Sequence, residues 1–161
     1  MRKLAVFFLV LTGTFVIDRG IKEIFVLGYD WQSPCISLEL HYNKGVAFSM
    51  FAFLGTSLKW LQTVLIGGII LYLFTSGLVK QYAFALGLLL GGAVGNLCDR
   101  FTQEGVVDYI YWHCWFDYPV FNYADIMVIL GVGWISLSSF YGGKEGGKES
   151  GKGDKREKAH A

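Results

Sequence analysis

The 161 residues (18.0 kDa) are 53% hydrophobic with a mean hydropathy of +0.44, and of the 14 basic and 13 acidic residues ten fall in the last twenty positions. The first 141 positions are therefore charged at about half the density of a soluble domain, which excludes an ordinary soluble globule. A net charge of +1 argues against a nucleic-acid partner, and what remains is a polytopic α-helical membrane protein.

Uncharged runs occur at Leu4–Ile17, Leu61–Val79, Tyr82–Cys98 and Ile126–Tyr141, predicting four transmembrane helices. A bilayer core needs about 20 helical residues, so most of these spans must carry polar residues into the membrane at one end. The first run follows Arg2 and Lys3 like a secretory signal but lacks a small-x-small cleavage site, so a retained helix is expected. It can continue through Asp18–Glu23, where Asp18/Lys22 and Arg19/Glu23 are opposite charges at i,i+4.

After this helix, Ile36, Leu38, Leu40 and Tyr42 alternate with Ser37, Glu39 and His41, the period of a half-buried strand. Asn43-Lys44-Gly45 is a turn signal leading into Val46-Ala47-Phe48, so a small antiparallel sheet on the outer face is expected. The third span has Gly87, Gly91, Gly92 and Gly95 for close helix packing and ends in Asn96, Asp99 and Arg100 on one face. The segment 106–118 is rich in Tyr, Trp and Phe and suits the membrane interface. The fourth span opens on Asn122-Tyr123-Ala124-Asp125, again with two polar residues on one face.

Residues 142–161 hold six glycines and mixed charges, and a disordered cytoplasmic tail is expected there. Arg2, Lys3, Lys80 and six tail Lys/Arg flank one side of the spans. The loops on the other side are acid-rich, so both termini are expected in the cytoplasm.

Asp18, Asp99, Asp108 and Asp125 thus lie near one outer level. Asp18 has Lys22 as a partner, Asp99 has Arg100 or a base on another helix, and Asp125 suits a helix first turn capped by Asn122. Asp108 has no basic residue within five positions. Two carboxylates sharing a low-dielectric pocket hold one proton between them and can activate water for peptide hydrolysis. The alternative class, a small transporter relaying cations, requires polar groups at several depths, whereas the middles of spans two to four are bare of charge. The three histidines and three cysteines show no metal spacing, and Cys35, Cys98 and Cys114 read as small apolar residues. No metal or cofactor is expected.

Five ordered blocks carry a family resemblance: Asp18 to Lys22, Asn43-Lys44-Gly45-Val46-Ala47-Phe48-Ser49, Gly95-Asn96-Leu97-Cys98-Asp99-Arg100, Val106-Val107-Asp108-Tyr109-Ile110 and Phe121-Asn122-Tyr123-Ala124-Asp125. Through them residues 1–141 resemble lipoprotein signal peptidase (signal peptidase II), an aspartyl protease of the bacterial inner membrane. The resemblance implies Asp108 and Asp125 as the catalytic pair, with Asp18, Lys22, Asn43, Gly45, Asn96, Asp99, Arg100 and Asn122 supporting the site or binding substrate. It implies a diacylglyceryl-modified prolipoprotein as substrate, cut N-terminal to the lipidated lipobox cysteine, without a metal or organic cofactor; a monomer embedded in the phospholipid bilayer is expected. The chain departs from the usual family pattern at Arg19, Tyr109 and Ile126, and none of these removes a carboxylate.

Overall fold

The computed structural model describes residues 1–45 and 54–157, with side chains as far as Tyr141. Its elements run α1 (Arg2–Val26), β1 (Trp31–Gln32), β2 (Ile36–Asn43), α2 (Ser57–Thr75), α3 (Leu78–Gln81), α4 (Ala83–Thr102), β3 (Val106–Trp112) and α5 (Tyr123–Glu157). Four stretches are long and apolar enough to cross a membrane: α1, α2, α4 and Tyr123–Tyr141 of α5. Their outward side chains, among them Leu9, Val64, Leu65, Leu71, Ile129 and Leu137, are as apolar as those inside, as a lipid solvent allows.

α4 is the central helix, packed between α1 and α5. Its glycines explain how close those neighbours come. A Cβ at Gly91 would stand 2.7 Å from Thr14 Cβ and 2.8 Å from the Leu11 carbonyl of α1, and one at Gly92 would stand 2.5 Å from the Ala124 carbonyl of α5. The two faces of one helix turn are thus both backbone contacts, and no larger residue fits either. Because Ala124 precedes Asp125, Gly92→Ala should push the start of α5 outward. We expect a loss of about 1–3 kcal/mol, the usual cost of overpacking, read as a lower thermal midpoint in detergent.

Three strands cap this bundle in the order β1-β2-β3, all antiparallel. β2 has the alternation its sequence predicts, but its partner is β3, with Asn43 opposite Val106, His41 opposite Asp108 and Ile36 opposite Trp112. The expected continuation through Val46-Ala47-Phe48, and Ser49 after it, lie outside the described residues. β3 hides from an alternation test because Val106, Val107, Asp108 and Tyr109 are all buried in succession, as in a strand covered on both faces. Tyr109 stacks on Phe25 of α1 at 4.2 Å, and Val107 joins them in an apolar cluster that anchors the sheet to the bundle. Gly28, in the left-handed region at φ 98°, terminates α1 and turns the chain toward β1.

Two expectations are corrected here. Cys35 and Cys114 are not separate apolar residues but a disulfide, joining the segment before β2 to the segment after β3; only Cys98 is free. Their 79-residue separation carries no framework spacing that a sequence could reveal. Arg19 pairs not with Glu23 but with Asp99 of α4, since a buried carboxylate gains more from a cation than an exposed one does. The helix α5 extends past Tyr141 to Glu157.

Candidate active site

The polar ends of α1, α4 and α5 meet beneath the sheet in two layers. The lower layer is ionic. Lys22, 1% exposed, lies 2.8 Å from Asp18 Oδ2 and 2.7 Å from Asp99 Oδ2, and Arg19 closes the group by pairing with the other oxygen of Asp99. Two cations and two anions therefore cancel, with Asp18, Lys22 and Asp99 out of solvent and Arg19 partly exposed at the edge; such pairing is the condition under which buried charges are tolerated. Asp99 Oδ2 also accepts the Val107 backbone N–H at 3.2 Å, tying the ionic layer to β3. Asp18 packs against the α4 backbone at Gly95, where any side chain would collide with its carboxylate.

The upper layer is built from amides. Lys22 Nζ donates to Asn96 Oδ1 at 2.8 Å, and the Asn96 amide donates to Asp125 Oδ1 at 2.8 Å. Asn122 Nδ2 lies 2.6 Å from Asp108 Oδ1, 3.0 Å from Asn96 Oδ1 and 3.2 Å from the Val107 carbonyl. Asn43 Nδ2 donates to Asp108 Oδ2 at 3.0 Å. Each oxygen of Asp108 is thus held by an amide from a different element. Asn122 and Asp125 also cap α5 reciprocally: Asp125 N–H donates to Asn122 Oδ1 at 2.9 Å and Asn122 N–H to Asp125 Oδ2 at 3.2 Å. The capping role and the place in the site, which the sequence presents as alternatives, are both met by the same two side chains.

Asn122 reaches Asp108 because the chain after β3 folds back on it. Phe121 exchanges backbone hydrogen bonds with Ile110, at 2.9 and 3.1 Å, and Tyr109 Oη accepts the Tyr123 N–H at 3.1 Å. On the other flank, Arg100 donates to the carbonyls of Asn43 and Gly45, while Gly45 N–H donates to Asn43 Oδ1 at 3.0 Å. That clamp fixes the Asn43 amide toward Asp108.

Asp108, Asp125, Asn43, Gly45, Asn96 and Arg100 all line one open cavity of about 840 Å³, lined elsewhere by Tyr118, Phe121 and Ile129 among others. Asp108 is 2% exposed by side-chain contact with the protein yet opens on this space. Burial first, and then the negative charge of Asp125, push its carboxyl up to about 7, against the hydrogen bonds from Asn43 and Asn122 and the charge of Lys22, which lower it. With the ionic layer neutral, Arg100 is left to balance one negative charge on the Asp108–Asp125 pair, which matches a pair holding a single proton. Among the described residues no cluster of His, Cys, Asp and Glu is arranged to hold a metal ion.

The model of the family described as "Signal peptidase (SPase) II" matches residues 10–141. The chain belongs to the signal peptidase II family. It is 55% identical over 141 residues to the lipoprotein signal peptidase of Sulfurovum sp. (strain NBC37-1), covering 88% of this chain and 97% of that one. Against the lipoprotein signal peptidase of Helicobacter pylori (strain P12) the identity is 42% over 139 residues, or 86% of both chains. A solved bacterial membrane enzyme, studied by the in meso method at 2.3 Å resolution, has the same fold with a TM-score of 0.74 at 24% identity, over 86% of this chain and 89% of that one.

All ten residues that the resemblance implies fall in this one network. Seven lie in the amide layer or its flank, while Asp18, Lys22 and Asp99 lie beneath it. Asp99 takes its partners from α1, so the reading that pairs it with a base on another helix holds and the reading with adjacent Arg100 does not. Arg19 and Gln62 are the residues whose placement the sequence did not disclose. Arg19 looked like half of a local ion pair, and Gln62 is an uncharged amide inside an apolar run.

Proposed function

We propose that this signal peptidase II family member is an aspartyl endopeptidase that removes the signal peptide from diacylglyceryl-modified prolipoproteins, cutting N-terminal to the lipidated lipobox cysteine. The observation that carries this reading is the pair Asp108 and Asp125 on one cavity, each oriented by amide donors and surrounded by an otherwise charge-balanced network. In this reading Asp125 is the anionic base that takes a proton from water, and Asp108 is the acid that gives its proton to the substrate as the tetrahedral intermediate forms. Asn43, Asn96 and Asn122 hold the two carboxylates, and Arg100 fixes the loop at Asn43–Gly45. The enzyme acts as a monomer in the bacterial inner membrane, with both termini cytoplasmic and the cavity at the outer face, where a substrate anchored by its signal helix and its lipid arrives within the bilayer. The relatives named lipoprotein signal peptidase support the substrate class.

The test is incubation of the purified protein with a lipidated prolipoprotein and mass analysis of the product. Loss of the signal peptide at the lipidated cysteine is expected; an intact substrate, or cleavage elsewhere, would overturn the reading. The pH profile provides a second check. Because Asp108 must enter protonated, kcat/KM should fall as pH rises through about 7. A profile flat from pH 6 to 9 would remove Asp108 from the role of acid.

A further inference from the structure

Only one residue of α2 lines the cavity, and it is the amide Gln62. It sits in the second turn of a helix that buries Leu58 and Leu73 against the bundle and exposes Leu61, Val64 and Leu65 beside it. α2 touches the bundle chiefly through α4, and among the described residues the Gln62 amide has no hydrogen-bond partner. An amide inside an apolar span is unfavourable unless something in the cavity engages it. The α5 wall of the same cavity is apolar at Ile126, Val128 and Ile129, so the protein offers it nothing there.

The occupant required by the proposed function supplies what is missing. A signal peptide enters as a helix, whose peptide groups are bonded to one another. Hydrolysis requires the chain to unwind at the scissile bond, and within a membrane the freed N–H and C=O groups must find new partners. The carboxylates engage the scissile peptide itself. The neighbouring peptide unit offers one donor and one acceptor, which a glutamine amide complements with its carbonyl oxygen and its NH2.

We propose that Gln62 is a substrate-binding residue that hydrogen-bonds the unwound main chain next to the scissile bond. This rests on the reading of the chain as a lipoprotein signal peptidase. Gln62→Leu, with Gln62→Met as a second variant, should insert normally, since each makes an apolar span more apolar. Each should lower kcat/KM for a lipidated substrate about tenfold, the scale of one or two lost hydrogen bonds, with thermal stability unchanged.

The readout that a structural role would not move is a set of synthetic substrates in which single peptide N–H groups beside the scissile bond are replaced by ester oxygens. One of these should lose activity with the wild-type protein and lose no more with Gln62→Leu, because the two changes remove the same bond. Cleavage by both variants at the wild-type rate, or losses that multiply on every ester substrate, would overturn the inference alone. A wild-type protein that leaves the lipidated substrate intact would overturn the proposed function and this inference with it.

Discussion

Asp108→Asn and Asp125→Asn should each lose cleavage by roughly a hundredfold to ten-thousandfold while the fold stands. Asparagine keeps the size of the side chain and one acceptor, but it can neither take a proton from water nor supply one to the substrate. In a two-carboxylate mechanism the members act as a unit, so the double variant should be little worse than either single one. Stability should respond differently from activity. Because the folded protein holds the Asp108 carboxyl near 7, above its ordinary value of 3.8, the fold binds the proton more tightly than the unfolded chain. That contribution is complete below the ordinary value and is lost as pH rises through about 7. The wild-type thermal midpoint should therefore fall between about pH 4 and pH 7 and level off above that, and Asp108→Asn should flatten that slope. A folded Asp108→Asn or Asp125→Asn protein that cleaves at near the normal rate would remove the pair from the mechanism.

Lys22→Met should have the largest effect on stability. It leaves Asp18 and Asp99, both wholly buried, facing one another with only Arg19 to compensate. Breaking a buried charge cluster in this way costs about 3–5 kcal/mol, a fall of the order of 10 °C in the midpoint for a chain of this size. Adding Asp18→Asn should restore part of the loss by removing one of the stranded charges. Asp99→Asn should be milder, because Lys22 keeps Asp18 and Arg19 is 26% exposed and can turn to water. Thermal unfolding in detergent for the four proteins orders these effects, and Lys22→Met unfolding at the wild-type midpoint would contradict an ionic layer that holds α1 to α4.

The four spans were legible because lipid allows only long apolar helices, and Asp18, Asn96, Asp99, Asn122 and Asp125 stood out because polar side chains at the ends of such helices are rare; Asp108 stood out for its lack of a basic neighbour, and Asn43 and Gly45 entered only through the family resemblance. Asn122 and Asp125 could be read as a cap from their three-residue spacing alone. What stayed hidden depends on contacts distant in sequence. β3 is buried on both faces and so lacks alternation, and its pairing with β2 crosses more than sixty residues. Arg19 chose Asp99, eighty positions away, over a neighbour that local spacing favours. Gln62 carries no charge and raises no signal in a hydropathy count; only the cavity shows that it faces the carboxylates' space and not lipid.

The Cys35–Cys114 disulfide has a consequence for how the molecule is made. Cys35 precedes α2 and Cys114 follows α4, so two membrane crossings separate partners that end on the same side. The bond cannot close until both helices have threaded and β2 has found β3. A chain arrested after α2 has no Cys114 to pair with Cys35, so closure of the bond records the passage of α2 and α4, with α5 still to follow in the chain. Once closed, the bond makes α2, α4 and the strand bearing Asp108 parts of a single covalent ring, and one cut in the short connection between α2 and α4 would leave its two fragments joined.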